Sequence, residues 1–244
     1  MQQLSQPLSL MGAKNVRELG GYRTQSGAIT KTHSLLRADA LHNLTDEECR
    51  ILYDYGVRCV IDLRSPDERA KAADRLPVRY PDIEYLPVAL QDPVRIRRYE
   101  AEFPPSMWEL YCWFLDDSAK EFKTVFETII RYPNDCVLFH CSGGKDRTGM
   151  VAMLLHKFAG VDDETIIADY ALTESLMTEV FVVQTAEMQA RGLVVPPYIM
   201  QSPPENMVKA LAYLKAQYGT AEDYLLSIGL RKEQIGLLLK KLVG

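Results

Sequence analysis

Long apolar runs are the first absence. No stretch of roughly eighteen consecutive apolar residues occurs in the 244-residue sequence, so a membrane-spanning helix is not expected. An excess of basic charge is absent too: 28 basic and 33 acidic residues leave a net charge of −5, which argues against a nucleic-acid surface. That balance still permits an anionic ligand, because a few local amides and cations can hold a phosphate inside an acidic protein. Cysteine is sparse. Cys49, Cys59, Cys112, Cys136 and Cys141 form an odd set without framework spacing, which favours free thiols in a reducing compartment. No C-x-x-C pair occurs, and His33, His42, His140 and His156 show no ligand spacing, so no zinc site is expected. Met1 to Gly12 lack a basic region and a continuous apolar core, so they do not read as a signal peptide. The expected location is cytoplasmic, with export by another route left open. Internal repeats, low-complexity tracts and linkers are missing, so residues 1–244 read as one domain.

What is present alternates between strand and helix signals. Gly20-Gly21 marks a turn, and Tyr22-Arg23-Thr24 is expected to open a strand. Ser34–Arg37 reads as a second short strand. Thr45 and Glu48 form a capping-box pair that starts a helix over Asp46–Tyr55, ended by Gly56. Val57–Ile61 is a β-branched run with the character of a buried parallel strand. A helix resumes after Ser65-Pro66, and Ile83–Val88 is a further strand. Residues 91–117 mix prolines, aromatics, Arg95, Arg97 and Arg98, and read as loop and short helices over a cleft. Ser118–Arg131 has an amphipathic helix pattern, and Cys136–Phe139 gives the strongest strand signal. Thr148–Phe158 is almost wholly apolar on every side, as expected of a buried central helix closed by Gly160. Four or five helical segments follow. Within Thr173–Pro197, the apolar stripe Met177, Phe181, Val182, Val183 and Met188 fits either core packing or a helical lid. The expected fold class is α/β: a central, mostly parallel sheet flanked by helices, with a helical C-terminal third.

The chemistry concentrates in His140-Cys141-Ser142-Gly143-Gly144-Lys145-Asp146-Arg147-Thr148-Gly149, between the best strand and the most buried helix. A strand–loop–helix unit turns loop amides and a positive helix N-terminus toward one point, which makes a phosphate cradle. Gly143 and Gly144 let the backbone curl, and the amides from Ser142 to Arg147 can surround three phosphate oxygens. The same amides and helix dipole would stabilise a Cys141 thiolate. That thiolate would attack phosphorus and form a covalent thiophosphate. The planar fork of Arg147 matches two phosphate oxygens, as a lysine cannot. Thr148 can donate its hydroxyl to the sulfur as it leaves, and Lys145 adds charge at the rim. No metal or other cofactor is required, because amides and Arg147 supply the charge stabilisation. The segment is not a Walker A loop, since the required glycine is missing and Asp146 follows Lys145. It is not a cysteine-protease dyad either, since His140 and Cys141 alternate along a strand and face opposite ways.

This stretch resembles the C-x5-R-[ST] signature of protein tyrosine phosphatases and their dual-specificity relatives. Its His-Cys-x-x-Gly-Lys-Asp-Arg-Thr-Gly form resembles the atypical bacterial tyrosine phosphatases that also hydrolyse phosphoinositides. Asn15–Tyr22, Leu36-Arg37-Ala38-Asp39, Val60–Ser65 with Glu68, Asp169-Tyr170 and Tyr218–Leu225 are similar to further motifs of that family. Glu18 departs from its common aspartate. The resemblance spans Asn15 to the C-terminus. It implies the tyrosine-phosphatase fold, and phosphotyrosine, phosphoserine or phosphothreonine, and phosphoinositide substrates. It also implies a second-phosphate contact for Lys145. The general acid is not announced by a Trp-Pro-Asp motif; Asp146 and Asp62 rank above Asp92. Two other readings remain: a phosphate-binding module without turnover, and a rhodanese-like sulfurtransferase. Oligomeric state is not legible.

Overall fold

The computed structural model describes residues 2–90 and 103–244. Its centre is a five-stranded sheet made of β1 (Arg17–Glu18), β2 (Leu35–Ala38), β3 (Val57–Asp62), β4 (Glu84–Pro87) and β5 (Cys136–His140). The order is β1-β2-β5-β3-β4, with β1 antiparallel and the other neighbours parallel. Strand β5 is therefore central and buried along its whole length. Ala38 of β2 and Asp62 of β3 both pair with His140 of β5, so three parallel strands end at one level. The chain that follows β5 emerges in the crevice outside those carboxyl ends, where open α/β sheets bind ligands.

Alternation along β5 divides the core between two faces. Val137 and Phe139 pack with α4 (Met107–Asp117), α5 (Ala119–Arg131) and α6 (Asp146–Ala159). Cys136 and Leu138 pack on the opposite face with α1 (Asp46–Asp54), and Leu76 of α3 (Arg75–Arg79) joins them. Helix α6 has eleven buried residues, as its largely apolar sequence requires, and it ends at Gly160 in a left-handed cap. After it come α7 (Asp163–Ala190), a 3-10 turn (Pro197–Ile199), α8 (Pro204–Tyr218), α9 (Ala221–Ser227) and α10 (Lys232–Leu242). Among the described residues no helix is long and apolar enough to cross a membrane.

Helix starts follow local chemistry. Thr45 and Glu48 close the capping box of α1, and Ser65 and Glu68 close that of α2 (Pro66–Lys71), with proline in its first turn. Two expectations change. Tyr22–Thr24 forms no strand beyond isolated bridges from Arg23 to Ile29 and from Thr24 to Val161, and Arg17–Glu18 supplies the outer strand instead. The chain at Arg23 folds back on itself within a few residues, too tightly to extend a ladder. Met107–Asp117 is one regular helix rather than loop: its prolines precede the Ser106 cap, and its apolar face buries Met107, Leu110, Tyr111 and Phe114. Arg95, Arg97, Arg98 and the acid candidate Asp92 lie outside the described residues.

Candidate active site

The loop Cys141–Lys145 joins β5 to α6, and its carbonyls are tied down on the β2 side. The Ala40 amide donates to the Ser142 carbonyl at 3.1 Å, Asn15 Nδ2 to Gly143 at 3.0 Å and Arg37 Nη2 to Gly144 at 2.7 Å. In a trans peptide the next N–H points opposite to the carbonyl. The amides of Gly143, Gly144 and Lys145 therefore turn toward the other side of the loop, inward. Gly144 has φ of 63°, and a Cβ there would lie 2.7 Å from both the Ala38 carbonyl oxygen and Asn15 Nδ2. Only glycine fits.

A buried charge cluster holds these anchors. Asp169 of α7 accepts from Arg17 Nε at 2.7 Å and also pairs with Arg37. Burial opposes its charge, but the two guanidinium groups hold the Asp169 carboxyl well below the usual range. Burial also lowers Arg37, to about 10, which leaves it charged at neutral pH. Asn15, Arg17, Arg37 and Asp169, all from resemblance motifs, thus shape the loop from behind.

Cys141, 2% exposed, lines a cavity of about 320 Å³ together with Ser142, Gly143, Lys145, Asp146 and Arg147. Its apolar wall comes from Met107, Trp113 and Phe114 of α4, from Phe181 and Met188 of α7, and from Ile199 and Met200. The apolar stripe of α7 therefore divides: Phe181 faces the cavity, Met177 is core, and Val182 and Val183 are exposed. Arg147 makes a two-pronged pair with Glu68, 2.7 Å from Nη1 and 2.8 Å from Nη2, and Ser142 Oγ donates to the same carboxylate at 2.5 Å. Burial works against both charges. Pairing wins: Glu68 falls to about 2, and Arg147 rises above its ordinary value. The Thr148 hydroxyl is buried without a hydrogen-bond partner among the described residues.

Lys145 does not stand as a free charge at the rim. It is 2% exposed, and its ammonium donates to the carbonyls of Ile199 and Gln201, the latter at 3.0 Å, beside the Phe181 ring. An ammonium without carbonyl partners would be costly at such burial, so the 3-10 turn closes over it. Asp146 opens α6 and lines the cavity, with its Oδ1 accepting from Tyr111 at 2.6 Å.

Asp62 is brought to the end of β3 but not into the cavity. Its carboxylate is fully buried and takes Arg64 Nε at 2.9 Å, Arg64 Nη2 at 2.7 Å and Tyr85 Oη at 2.7 Å. Burial pushes it up, but Arg64, His140 and Tyr85 more than offset this, and it is held below the usual carboxylate range. A carboxylate so paired holds no proton to give. His140 faces the same cluster, 2.8 Å from Asp74, at an angle poor for a hydrogen bond. Burial lowers its affinity for a proton, yet Asp74 and Asp62 leave it raised overall. Asp62, Asp74 and His140 have ligand atoms close enough for a cation. Arg64, 2.7 and 2.9 Å from the two carboxylates, already supplies the positive charge there, so this is a structural brace.

The sequence reading missed Glu68 and Tyr111 as site residues. For Glu68 a signal existed, the Ser65–Glu68 capping box, which fixes it at the first turn facing the loop. For Tyr111 there was none, because its partner lies 35 residues away.

Over 222 residues the chain is 33% identical to a tyrosine-protein phosphatase of Nostoc commune, covering 86% of this chain and 74% of that one. It is 30% identical to a putative tyrosine-protein phosphatase of Cupriavidus necator, with coverages of 86% and 80%. It is 28% identical to the triple specificity protein phosphatase PtpB of Mycobacterium tuberculosis, over 66% of this chain and 67% of that one. The crystal structure of P. aeruginosa TpbA aligns with a TM-score of 0.42 at 14% identity, covering 83% of this chain and 91% of that one. Residues 8–244 match the tyrosine phosphatase family; the chain belongs to that family and is a protein-tyrosine phosphatase.

Proposed function

We propose that the enzyme hydrolyses phosphotyrosine through a thiophosphate on Cys141. The observation that supports this reading is the shared cavity: Cys141, the loop residues Ser142, Gly143 and Lys145, and Arg147 line it together beneath apolar walls. In the first step Cys141 sulfur bonds to phosphorus while the bond to the tyrosine oxygen breaks, and Asp146 gives its proton to that oxygen. In the second step water attacks phosphorus, Asp146 takes a proton from it, and the sulfur departs with Thr148 donating its hydroxyl. Arg147 and the amides of residues 142–147 hold the equatorial oxygens throughout. The amide ring and Arg147 supply the charge stabilisation in both steps. Aromatic walls above a deep thiol favour an aryl phosphate, whose ring spans the cavity, over a short phosphoserine.

Phosphoinositides enter the proposal from the sequence resemblance, with Lys145 as the contact to a second phosphate. Lys145 would then have to exchange the Ile199 and Gln201 carbonyls for the ligand. A panel of phosphotyrosine, phosphoserine and phosphothreonine peptides and phosphoinositides, with Cys141→Ser as blank, tests the assignment. Phosphotyrosine peptide is expected to be turned over without added metal. In Lys145→Ala, a loss of about tenfold confined to multiply phosphorylated lipids supports the second-phosphate contact. Equal losses on all substrates make Lys145 a tether of the 3-10 turn. Thiosulfate turnover in place of phosphate release would overturn the phosphatase mechanism.

A further inference from the structure

Two buried tyrosines have no part in the steps above. Tyr111 of α4 and Tyr170 of α7 are 0% and 1% exposed, and their rings meet edge to face at 5.9 Å. Burying a phenol without a hydrogen-bond partner is costly, and here the partners form a line. Asn206 Nδ2 lies 3.5 Å from Tyr170 Oη, the two hydroxyl oxygens are 2.7 Å apart, and Tyr111 Oη is 2.6 Å from Asp146 Oδ1. The direction of the line is set by chemistry. An amide nitrogen can only donate and an ionised carboxylate can only accept, so Tyr170 donates to Tyr111 and Tyr111 donates to Asp146. Burial first, and the Asp146 charge second, raise the Tyr111 phenol well above its ordinary range, so the donor keeps its proton at working pH.

The line ends on one oxygen of the carboxylate. Lys145 Nζ approaches the same Oδ1 at 3.6 Å, while Oδ2 makes no hydrogen bond among the described residues. The Asp146 side chain is 27% exposed and lines the cavity. Charged or titratable groups around it come from each packed element: Lys145 and Arg147 from the loop and α6, Tyr111 from α4, Tyr170 from α7, and the Cys141 thiol across the cavity.

We infer that Tyr111, backed by Tyr170, is a positioning residue for the general acid: it fixes Asp146 Oδ1 so that Oδ2 carries the proton to the leaving oxygen. This rests on the acid role of Asp146 proposed above. When Oδ2 releases its proton to the departing phenolate, the phosphorus–oxygen bond breaks and the new carboxylate is left with the Tyr111 donor already in place. The stabilisation grows as charge develops, which is the condition for accelerating the step rather than tightening substrate binding.

The test uses Tyr111→Phe, Tyr170→Phe, Asp146→Asn and the double variant Tyr111→Phe/Asp146→Asn. Phenylalanine retains the ring packing, and vanadate binding checks that the cradle is intact. Each variant is assayed on p-nitrophenyl phosphate, a good leaving group, and on phosphotyrosine peptide, a poor one. Tyr111→Phe is expected to lower kcat on the peptide by about tenfold, the scale of one hydrogen bond to a charged group. The loss on p-nitrophenyl phosphate should be smaller and KM nearly unchanged. Tyr170→Phe should show the same pattern more weakly. In the Asp146→Asn background the Tyr111 substitution should cost nothing further. Equal losses on both substrates, or a full additional loss in the double variant, would make Tyr111 a packing residue and overturn the inference alone. If Asp146→Asn itself leaves the leaving-group dependence unchanged, the acid assignment fails and the inference falls with it.

Discussion

Arg147 faces two carboxylate oxygens of Glu68 and, in the proposed mechanism, two oxygens of phosphate. The Glu68 pair holds the guanidinium plane in place before substrate arrives, which lowers the ordering cost of binding. A lysine in its place offers a point charge with neither pairing, so Arg147→Lys should lose at least about a hundredfold in kcat/KM, measured on phosphotyrosine peptide. Glu68 brings a pH consequence. Its carboxyl is depressed from 4.5 to about 2 in the folded protein, so what its ionisation contributes to stability is fully present above 4.5. That contribution is lost as pH falls from 4.5 toward 2, and acid-unfolding curves of Glu68→Gln should be flatter over that window. An unchanged curve would show that the pair adds nothing to stability. Cys141 and Arg147 were legible in the sequence because ten contiguous residues hold the nucleophile, the glycines and the clamp. Glu68 showed only its capping box, which does not announce a partner 79 residues on, and Tyr111 meets Tyr170 across 59 residues with no local pattern at all.

At the scale of elements, the loop is held by the chain on either side of it in sequence. Strands β1 and β2 send Arg17 and Arg37 behind the loop, and α7 supplies Asp169, whose carboxylate pairs with both. Removing that one carboxylate leaves two buried guanidinium groups without a counter-charge, so Asp169→Asn should destabilise by about 3–5 kcal/mol in urea unfolding. The group is depressed, so in the wild type this stabilisation is present above the ordinary aspartate value of 3.8 and is lost as pH falls below it. A cost under about 1 kcal/mol would mean that the cluster is not what braces the loop. Elements with local signals were readable: the capping box of α1, the proline start of α2, the β-branched run of β3 and the largely apolar α6 all have their causes within a few residues. Helix α4 was not, because prolines just before its start masked a face that only the tertiary core explains. The outer strand was misplaced because the burial of Arg17, 0% exposed, depends on an aspartate 152 residues away.

Across the whole molecule, one topological fact places the chemistry. Three parallel strands end level at Ala38, His140 and Asp62, the loop leaves the central one, and helices α4 and α7 wall the space above it. The α/β class and the mostly parallel sheet followed from strand–helix alternation, whereas the walls of the cavity come from residues between positions 103 and 200 that no single motif joins. The central claim is that phosphoryl transfer passes through Cys141. Mixing enzyme with excess phosphotyrosine peptide, quenching in acid within the first turnovers and mapping the digest by mass spectrometry tests it directly. The account predicts one phosphoryl group on the peptide carrying Cys141, accumulating while the tyrosine product is released, and none in Cys141→Ser. A phosphoryl group on any other residue, or turnover by Cys141→Ser within tenfold of wild type, would contradict it.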